Sequence, residues 1–424
     1  MEGIFPRDLL PSLEKWLERR EAYAIKGPRQ SGKTTILKIL QNRLLKKNVI
    51  FLNFEDMDIL EAFEKNPKEY IKSFMTKKGK YYFLLDEYHY VKEPGKKLKL
   101  LYDFFENAKF IVTGSSSLEL SGAMAKFLVG RVFFFELFPF NFHEFLVAKN
   151  MRLARIYEEK NKAVKEFLVK ESLTAIKEDI FLNEFTLLFE EYVIFGGYPA
   201  VIKADVETKK MILKSIYDTY ISKDIIEFLM YTDALKYRNI VKILATAIGN
   251  LINYQEICSA AQTYYKELKR VISILSETYI VKILQPYYRN PITELKKVPK
   301  LYFFDTGLRN YIIENFNSID KRTDTGALIE NFVFLGLRNM FPDSTITYWR
   351  TIAKAEVDFV LRIKEEIIPI EVKFQSFKKV KISRSLRSFI NTYKPKKALL
   401  LTKDFWAIEK INNTTIMFVP VCYV

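Results

Sequence analysis

The sequence predicts an α/β protein of several domains, and three observations predict it. The apolar segment Ala22–Lys26 runs straight into Gly27-Pro28-Arg29-Gln30-Ser31-Gly32-Lys33-Thr34 and then into a helical pattern. Strand-like and helical segments then alternate as far as Thr113, the spacing of a parallel sheet covered on both faces. A second run, from Gly326 to Thr402, reads helix, three strands, helix, strand, and predicts a smaller α/β domain. At 424 residues the chain exceeds one ordinary domain. With 49% hydrophobic residues but only 14 Gly and 14 Pro, it has material for several cores and little for long disordered tracts.

The elements follow in order. Residues 8–21 read as a short amphipathic helix, 34–46 as the helix after the loop, and 49–54 as an apolar strand. Residues 57–76 are helical and charged, and 81–85 form a fully apolar strand ending in Asp86-Glu87. A helix near 96–106 leads to the strand 109–113, and Gly130-Arg131 precede the strand 132–135. Residues 140–235 are mostly helical, interrupted at Phe195-Gly196-Gly197-Tyr198-Pro199. Residues 238–285 give three short helices and a strand, with a partner strand at 301–304. From Gly326 come a helix to Met340, strands near 345–350, 356–363 and 367–374, a helix near 383–392, and the strand 398–402.

Composition narrows the function. Lys and Arg number 67 against 51 Asp and Glu, a formal charge of +16, which favours a polyanionic partner such as nucleic acid, or an anionic membrane surface. Cys258 and Cys422 lie far apart and His89 and His143 are the two histidines, so neither a disulfide framework nor a His-rich metal site is expected. A reducing, cytoplasmic setting fits the cysteines. The opening residues are broken by charges and prolines and do not read as a secretory signal. The most apolar stretch, 127–142, is interrupted by Arg131, Glu136 and Pro139, so no membrane span is expected.

The loop at 27–34 has the pattern Gly-x4-Gly-Lys-Thr between a strand and a helix. Glycines bring backbone N–H groups against phosphate oxygens, Lys33 neutralises the β- and γ-phosphates, and the Thr34 hydroxyl reaches Mg²⁺. Thr35 opens the helix beside them. Asp86, at a strand tip, is expected to hold Mg²⁺ and Glu87 to polarise the attacking water. Ser115 and Ser116 follow the next strand, where a polar side chain can sense the γ-phosphate. Arg131 is either a surface arginine or a cation reaching a neighbouring subunit's γ-phosphate.

This order of phosphate loop, Asp86-Glu87, Ser115-Ser116 and Gly130-Arg131 resembles the AAA+ ATPases, and most of all the prokaryotic branch fused to a C-terminal domain of unknown function. The Phe195–Pro199 segment resembles a signature of that group. The resemblance implies ATP and Mg²⁺ as cofactors, Ser115 or Ser116 as the first sensor, Arg131 as the arginine finger, and a homo-oligomer.

Farther on, Asn253-Tyr254-Gln255-Glu256-Ile257 and a second helix carrying Lys266, Lys269 and Arg270 look like a winged helix, whose last helix can enter the DNA major groove. In the C-terminal run, Glu330 lies on a helix, Asp358 on one strand, and Glu371 and Lys373 share a face of the next. Two strand carboxylates, Asp358 and Glu371, with a third from a helix suit Mg²⁺, with Lys373 beside a phosphodiester. The set resembles the PD-(D/E)XK nucleases, although Val357 stands where that motif has proline. From Lys373 to Lys397 the chain has nine Lys or Arg and no acid, which suits a DNA backbone.

The expected organisation is therefore a P-loop AAA+ core (1–138), a helical lid (139–236), a winged helix (237–320) and a restriction-endonuclease-like α/β domain (321–424). The expected function is an ATPase that binds DNA and cleaves it with Mg²⁺. Its rival is an ATP-dependent signalling or regulatory switch that binds DNA or protein without cutting.

Overall fold

A computed structural model describes residues 5–114, 128–170, 181–219, 234–287 and 298–424. The chain divides into two compact units, one of residues 1–140 with 273–280, the other of 141–272 with 281–424. No helix among the described residues is long and apolar enough to cross a membrane.

The first unit is built on five parallel strands. They are β1 (Ala22–Lys26), β2 (Asn48–Asn53), β3 (Tyr81–Asp86), β4 (Ala108–Gly114) and β5 (Val132–Glu136), in the order β2-β3-β4-β1-β5. All six residues of β3 and all seven of β4 are buried, as expected of central parallel strands covered on both faces. Alternate residues serve opposite cores. Tyr82 and Leu84 pack with Ile36, Leu37 and Leu40 of α2 (Lys33–Arg43), while Phe83 and Leu85 pack with Phe110, Val112 and Phe63. Each such burial contributes about 1.5–3 kcal/mol, which fixes the strand tips that carry the polar residues.

This unit also has helices α1 (Leu10–Lys15) and α5 (Pro94–Phe104), besides the pair between β2 and β3. The expected single helical stretch at 57–76 is two helices, α3 (Met57–Lys65) and α4 (Pro67–Ser73). Pro67 lacks the N–H that a continuous helix needs. Asn66 accepts from the Glu69 N–H at 3.3 Å and starts the second helix instead.

The second unit begins with α6 (Phe142–Lys149), α7 (Met151–Lys170), α8 (Leu182–Phe195), α9 (Pro199–Lys203) and α10 (Val206–Ile216). Then come α11 (Ala234–Thr246), α12 (Tyr254–Ala260), α13 (Tyr265–Glu277), which from Ser273 on is counted with the first unit, and an antiparallel pair, β6 (Val281–Leu284) with β7 (Lys300–Phe303). Helix α14 (Thr306–Ile312) packs on α8, and the Phe195–Pro199 segment is part of that junction. The buried Asp305 carboxylate accepts from the Gly197 and Leu308 N–H groups, each at 2.7 Å.

Helix α15 (Thr325–Met340) leads into a six-stranded sheet ordered β12-β13-β11-β10-β9-β8. Its strands are β8 (Thr345–Arg350), β9 (Glu356–Ile363), β10 (Glu366–Val372), β11 (Lys397–Thr402), β12 (Ala407–Ile411) and β13 (Thr414–Pro420). Helix α16 (Arg384–Tyr393) covers one face through Leu386, Phe389 and Ile390, against Val357, Val360, Leu400 and Phe418. The sequence pattern predicts a last strand at 398–402, and the structure adds β12 and β13 after it. Strand β13 pairs parallel with the whole of β11, from Lys397–Thr415 to Thr402–Pro420, so the sheet continues beyond the expected edge. Strand β10 ends at Val372, one residue short of Lys373.

Candidate nucleotide site and a C-terminal carboxylate cluster

Strand order explains why the first set of residues meets. Strand β4 lies between β1, which delivers the loop, and β3, which delivers the acids, so its tip stands beside both. The loop leaves β1 at Gly27, where a Cβ would meet the Leu137 carbonyl oxygen at 2.0 Å, so only glycine fits. Gly32 takes φ +96° at the start of α2, a backbone that side chains strain to adopt. Pro28 is buried, while Arg29 and Gln30 face outward. Arg7 braces the loop from outside the motif, donating to the Ser31 carbonyl at 2.7 Å and the Phe138 carbonyl at 2.6 Å.

Lys33 is buried, and its ammonium donates to the loop's own carbonyls, Gly27 at 3.1 Å and Pro28 at 2.8 Å. Burial pulls its pKa down to about 8, against the attraction of Glu87 and Asp86. The Ser31 hydroxyl is fully buried and has no hydrogen-bond partner among the described residues. A bare glycine backbone, an orphaned hydroxyl and a lysine held only by neutral carbonyls fit a triphosphate. Thr34 and Thr35 are half-buried on the first turn of α2.

Asp86 is buried at the β3 tip and accepts from the Thr113 hydroxyl. The same hydroxyl oxygen accepts from the Glu87 N–H at 3.1 Å. Thr113 therefore fixes both acids, a role that sequence reading missed because it looked past the strand end to Ser115 and Ser116. Those two lie outside the described residues. Glu87 sits at φ 49°, a strained left-handed backbone that swings its carboxylate off the strand. Its carboxylate lies 3.1 Å from Nδ1 of His89. Burial pushes the Glu87 pKa up, but His89 and Lys33 outweigh it and the net shift is downward. Arg131 is part-exposed and its Nε pairs with Asp103 at 3.1 Å.

The second set, in the other unit, also converges. Ile370 pairs with Phe359 across β10 and β9, which sets Glu371 opposite Asp358. The Asp358 carboxylate accepts from the Val372 N–H at 2.7 Å. Glu371 accepts from the Ser383 hydroxyl at 2.8 Å and pairs with the Lys373 ammonium at 3.2 Å. Glu330 of α15 accepts from the Tyr302 hydroxyl at 3.3 Å.

Sequence reading missed the cation among them. Lys300, 2% exposed, places its ammonium 2.5 Å from Glu356 and 3.7 Å from Glu330. Burial lowers the Lys300 pKa, but Glu330, Glu356 and Asp358 together outweigh it and raise it. Glu330 is raised by burial and by Asp358, with Lys300 opposing. Asp358 is raised by burial, opposed by Lys300 and the Val372 N–H. Among the described residues no three acids, histidines or cysteines are arranged to hold a metal ion. The Lys300 ammonium thus stands between Glu356 and Glu330, in the cluster where Asp358 and Glu371 are expected to hold Mg²⁺. The only sequence signal for Lys300 was a lone lysine opening the apolar strand 301–304.

The basic run is also thinner than its sequence. Lys378, Lys379, Lys381, Arg384 and Arg387 are exposed, but Lys397 is buried, donating to the Leu168 carbonyl at 2.7 Å and pairing with Glu366 at 2.9 Å.

The parallel sheet, the phosphate loop and the acids at the neighbouring strand tips define an ATPase domain of the AAA+ type. Residues 19–146 match the family described as AAA domain. Residues 186–319 and 325–422 match two domains of unknown function, DUF8612 and DUF4143. The chain thus joins an AAA+ ATPase domain to two domains without assigned roles. It is 25% identical over 409 residues to an uncharacterized protein of Haemophilus influenzae, covering 93% of this chain and 92% of that one. With an uncharacterized protein of Methanocaldococcus jannaschii it shares 28% over 344 residues, covering 80% and 71%. Among solved structures, AMPPCP-bound DnaA from Aquifex aeolicus matches with a TM-score of 0.30 at 15% identity, over 65% of this chain and 87% of that one. PCH-2 of C. elegans matches with a TM-score of 0.25 at 12% identity, over 61% and 63%.

Proposed function

We propose that the chain hydrolyses ATP in its N-terminal domain and binds DNA through the remainder. The observation that carries the first half is the Thr113 bridge, which holds Asp86 and Glu87 at one tip beside a phosphate loop with an orphaned Ser31 hydroxyl. Gly27 to Thr35 would cradle the nucleotide, with Lys33 moving from the loop carbonyls to the β- and γ-phosphates. Mg²⁺ entering with ATP would neutralise phosphate charge, with Thr34 and Asp86 nearest to hold it. Glu87 would take up the proton of the attacking water, and Ser115 or Ser116 would sense the γ-phosphate. Arg131 would act in trans, which makes the working form a homo-oligomer. Residues 139–236 would form its lid.

DNA binding rests on the charge of +16 and on two exposed basic surfaces. One is the loop and helix from Lys378 to Arg387. The other is Lys266, Lys269 and Arg270 on α13, within the winged helix proposed for 237–320. The C-terminal domain, 321–424, resembles a nuclease, and Glu330, Asp358, Glu371 and Lys373 would be its cutting residues. Lys300 among those carboxylates favours the second reading, a cytoplasmic ATP-dependent signalling or regulatory switch that binds DNA or protein without cleavage. Incubating the protein with plasmid, with and without ATP and Mg²⁺, separates the two: nicking that Asp358→Ala abolishes supports cleavage, and retention without nicking supports the switch. A protein that turns over ATP no faster than Lys33→Ala ends the ATPase reading.

A further inference from the structure

The phosphate loop is held from behind by a cation that lies outside its motif. Arg7 precedes α1 in sequence, yet its guanidinium donates to the Ser31 carbonyl at 2.7 Å and to the Phe138 carbonyl at 2.6 Å. The side chain is buried, and its guanidinium lies 4.7 Å from the centre of the Phe140 ring. Arg7, Ser31, Phe138 and Phe140 all belong to the first unit. A planar fork is needed to serve two carbonyls at once, and arginine is the side chain that has one.

What this contact does follows from the peptide itself. The Ser31–Gly32 bond is trans, so the Ser31 carbonyl and the Gly32 N–H point to opposite sides of one plane. Holding that carbonyl on the Arg7 side aims the Gly32 N–H the other way. A charged donor on the carbonyl also polarises the peptide and makes its N–H a stronger donor. The guanidinium packs close against the bare backbone, since a Cβ on Gly32 would come 3.2 Å from its Nη1. The second carbonyl secures the other end of the loop. Phe138 follows Leu137, whose N–H donates to the Lys26 carbonyl at 2.8 Å and whose own carbonyl fills the space beside Gly27. One side chain therefore ties the end of the loop, at Ser31, to the segment that backs its beginning, at Gly27.

We propose that Arg7 is a positioning residue for the diphosphate that ATP and ADP share. It aims and polarises the Gly32 N–H, one of the backbone donors that such a loop turns to the α- and β-phosphates, and touches no nucleotide atom itself. The proposal rests on the ATPase reading and adds to it a residue that the Gly-x4-Gly-Lys-Thr pattern does not contain.

The test is phosphate affinity of the full chain with Mg²⁺, in wild type, Arg7→Met and Arg7→Lys. It is read by displacing a fluorescent ADP analogue with ADP and with inorganic pyrophosphate. Arg7→Met removes every donor and is expected to weaken both ligands by about tenfold. The KM for ATP should rise by the same factor while kcat changes by less than about threefold, because the N–H grips the diphosphate equally in ground and transition states. Arg7→Lys keeps the charge without the fork and should weaken both ligands by at least about threefold. A residue that only stabilised the fold would lower the unfolding midpoint and leave the affinity of the folded chain alone. A folded Arg7→Met chain with wild-type ADP affinity therefore overturns the proposal. So does weakened ADP with unchanged pyrophosphate, which would place the effect on the nucleoside. If Arg7→Met does not fold, Arg7→Lys decides, and wild-type affinity for both ligands in it overturns the proposal. A wild type that binds neither ligand ends the ATPase reading as well, so the two failures are told apart.

Discussion

Lys33 and Lys300 are both buried lysines beside acids, yet they sit in opposite kinds of site. Lys33 is held by two neutral carbonyls, next to a hydroxyl with no partner among the described residues. Lys300 is held by carboxylates, those of Glu356 and Glu330. Burial wins at the first and its pKa falls to about 8, while the acids win at the second and its pKa rises. The difference is one of readiness. A cation with weak, exchangeable partners can turn to an incoming polyanion, whereas a cation inside a matched cluster has nothing left to attract. Having the right residue types close together does not make an open site.

The comparison breaks most sharply under the same substitution at both places. Lys33→Ala is expected to lower kcat/KM for ATP by at least about a hundredfold to a thousandfold while the chain stays folded, since the partners it leaves are backbone groups. Lys300→Ala is expected to do the reverse. It leaves buried acids unpaired, at about 3–5 kcal/mol, with ATP turnover per folded chain unchanged. Denaturant unfolding and a coupled ATPase assay on both variants check the pair. Equal loss of stability in the two variants would remove the contrast.

Within the first site, Glu87→Gln should slow hydrolysis by about a hundredfold or more while ATP affinity is kept. Its neighbour Asp86 keeps the Thr113 hydroxyl. Loss of ATP binding in a folded Glu87→Gln protein would give Glu87 another role. Thr113→Val should cost less. It removes the donor to Asp86 and the acceptor of the Glu87 N–H, leaving two buried groups unpaired at about 1–3 kcal/mol. Turnover should fall about tenfold through misplaced acids, and a Thr113→Ser variant, which restores the hydroxyl, should recover it. Failure of serine to rescue would mean that the methyl group matters, not the bridge.

The first site was far more legible in sequence than the second, for a physical reason. The residues of a phosphate loop are contiguous because backbone N–H groups must converge within one turn, so the pattern is written in one short segment. Asp86 and Glu87 were readable because a parallel strand ends where its apolar run ends. Thr113 was not, since its role depends on β4 lying between β1 and β3, which strand spacing alone does not give. At the C-terminus, Glu330, Asp358, Glu371 and Lys373 were legible from alternation and order. Lys300 was not, because its place depends on Asn331 of α15, whose side chain bonds both the N–H and the carbonyl of Phe303 in β7. Composition misled once, by counting Lys397 with its exposed neighbours.

The smallest expected effect, and the finest version of the contrast, lies between the exposed and the buried lysines of the basic run. Lys378, Lys379 and Lys381 are exposed, whereas Lys397 spends its ammonium on the Leu168 carbonyl and Glu366. Each phosphate contact releases condensed counterions, so a lysine that touches DNA adds about 0.9 to the slope of log affinity against log salt, and a buried one adds nothing. Replacing Lys378, Lys379 and Lys381 together by alanine should flatten that slope by up to about three, with stability changed by less than about 0.5 kcal/mol per site. Lys397→Ala should leave the slope alone and lower stability instead, because it orphans a buried carbonyl and an acid. Fluorescence anisotropy with a labelled duplex across a salt series reads the first effect, and denaturant unfolding reads the second. A slope unchanged by the triple substitution would move DNA contact away from this loop and leave α13 as the candidate surface.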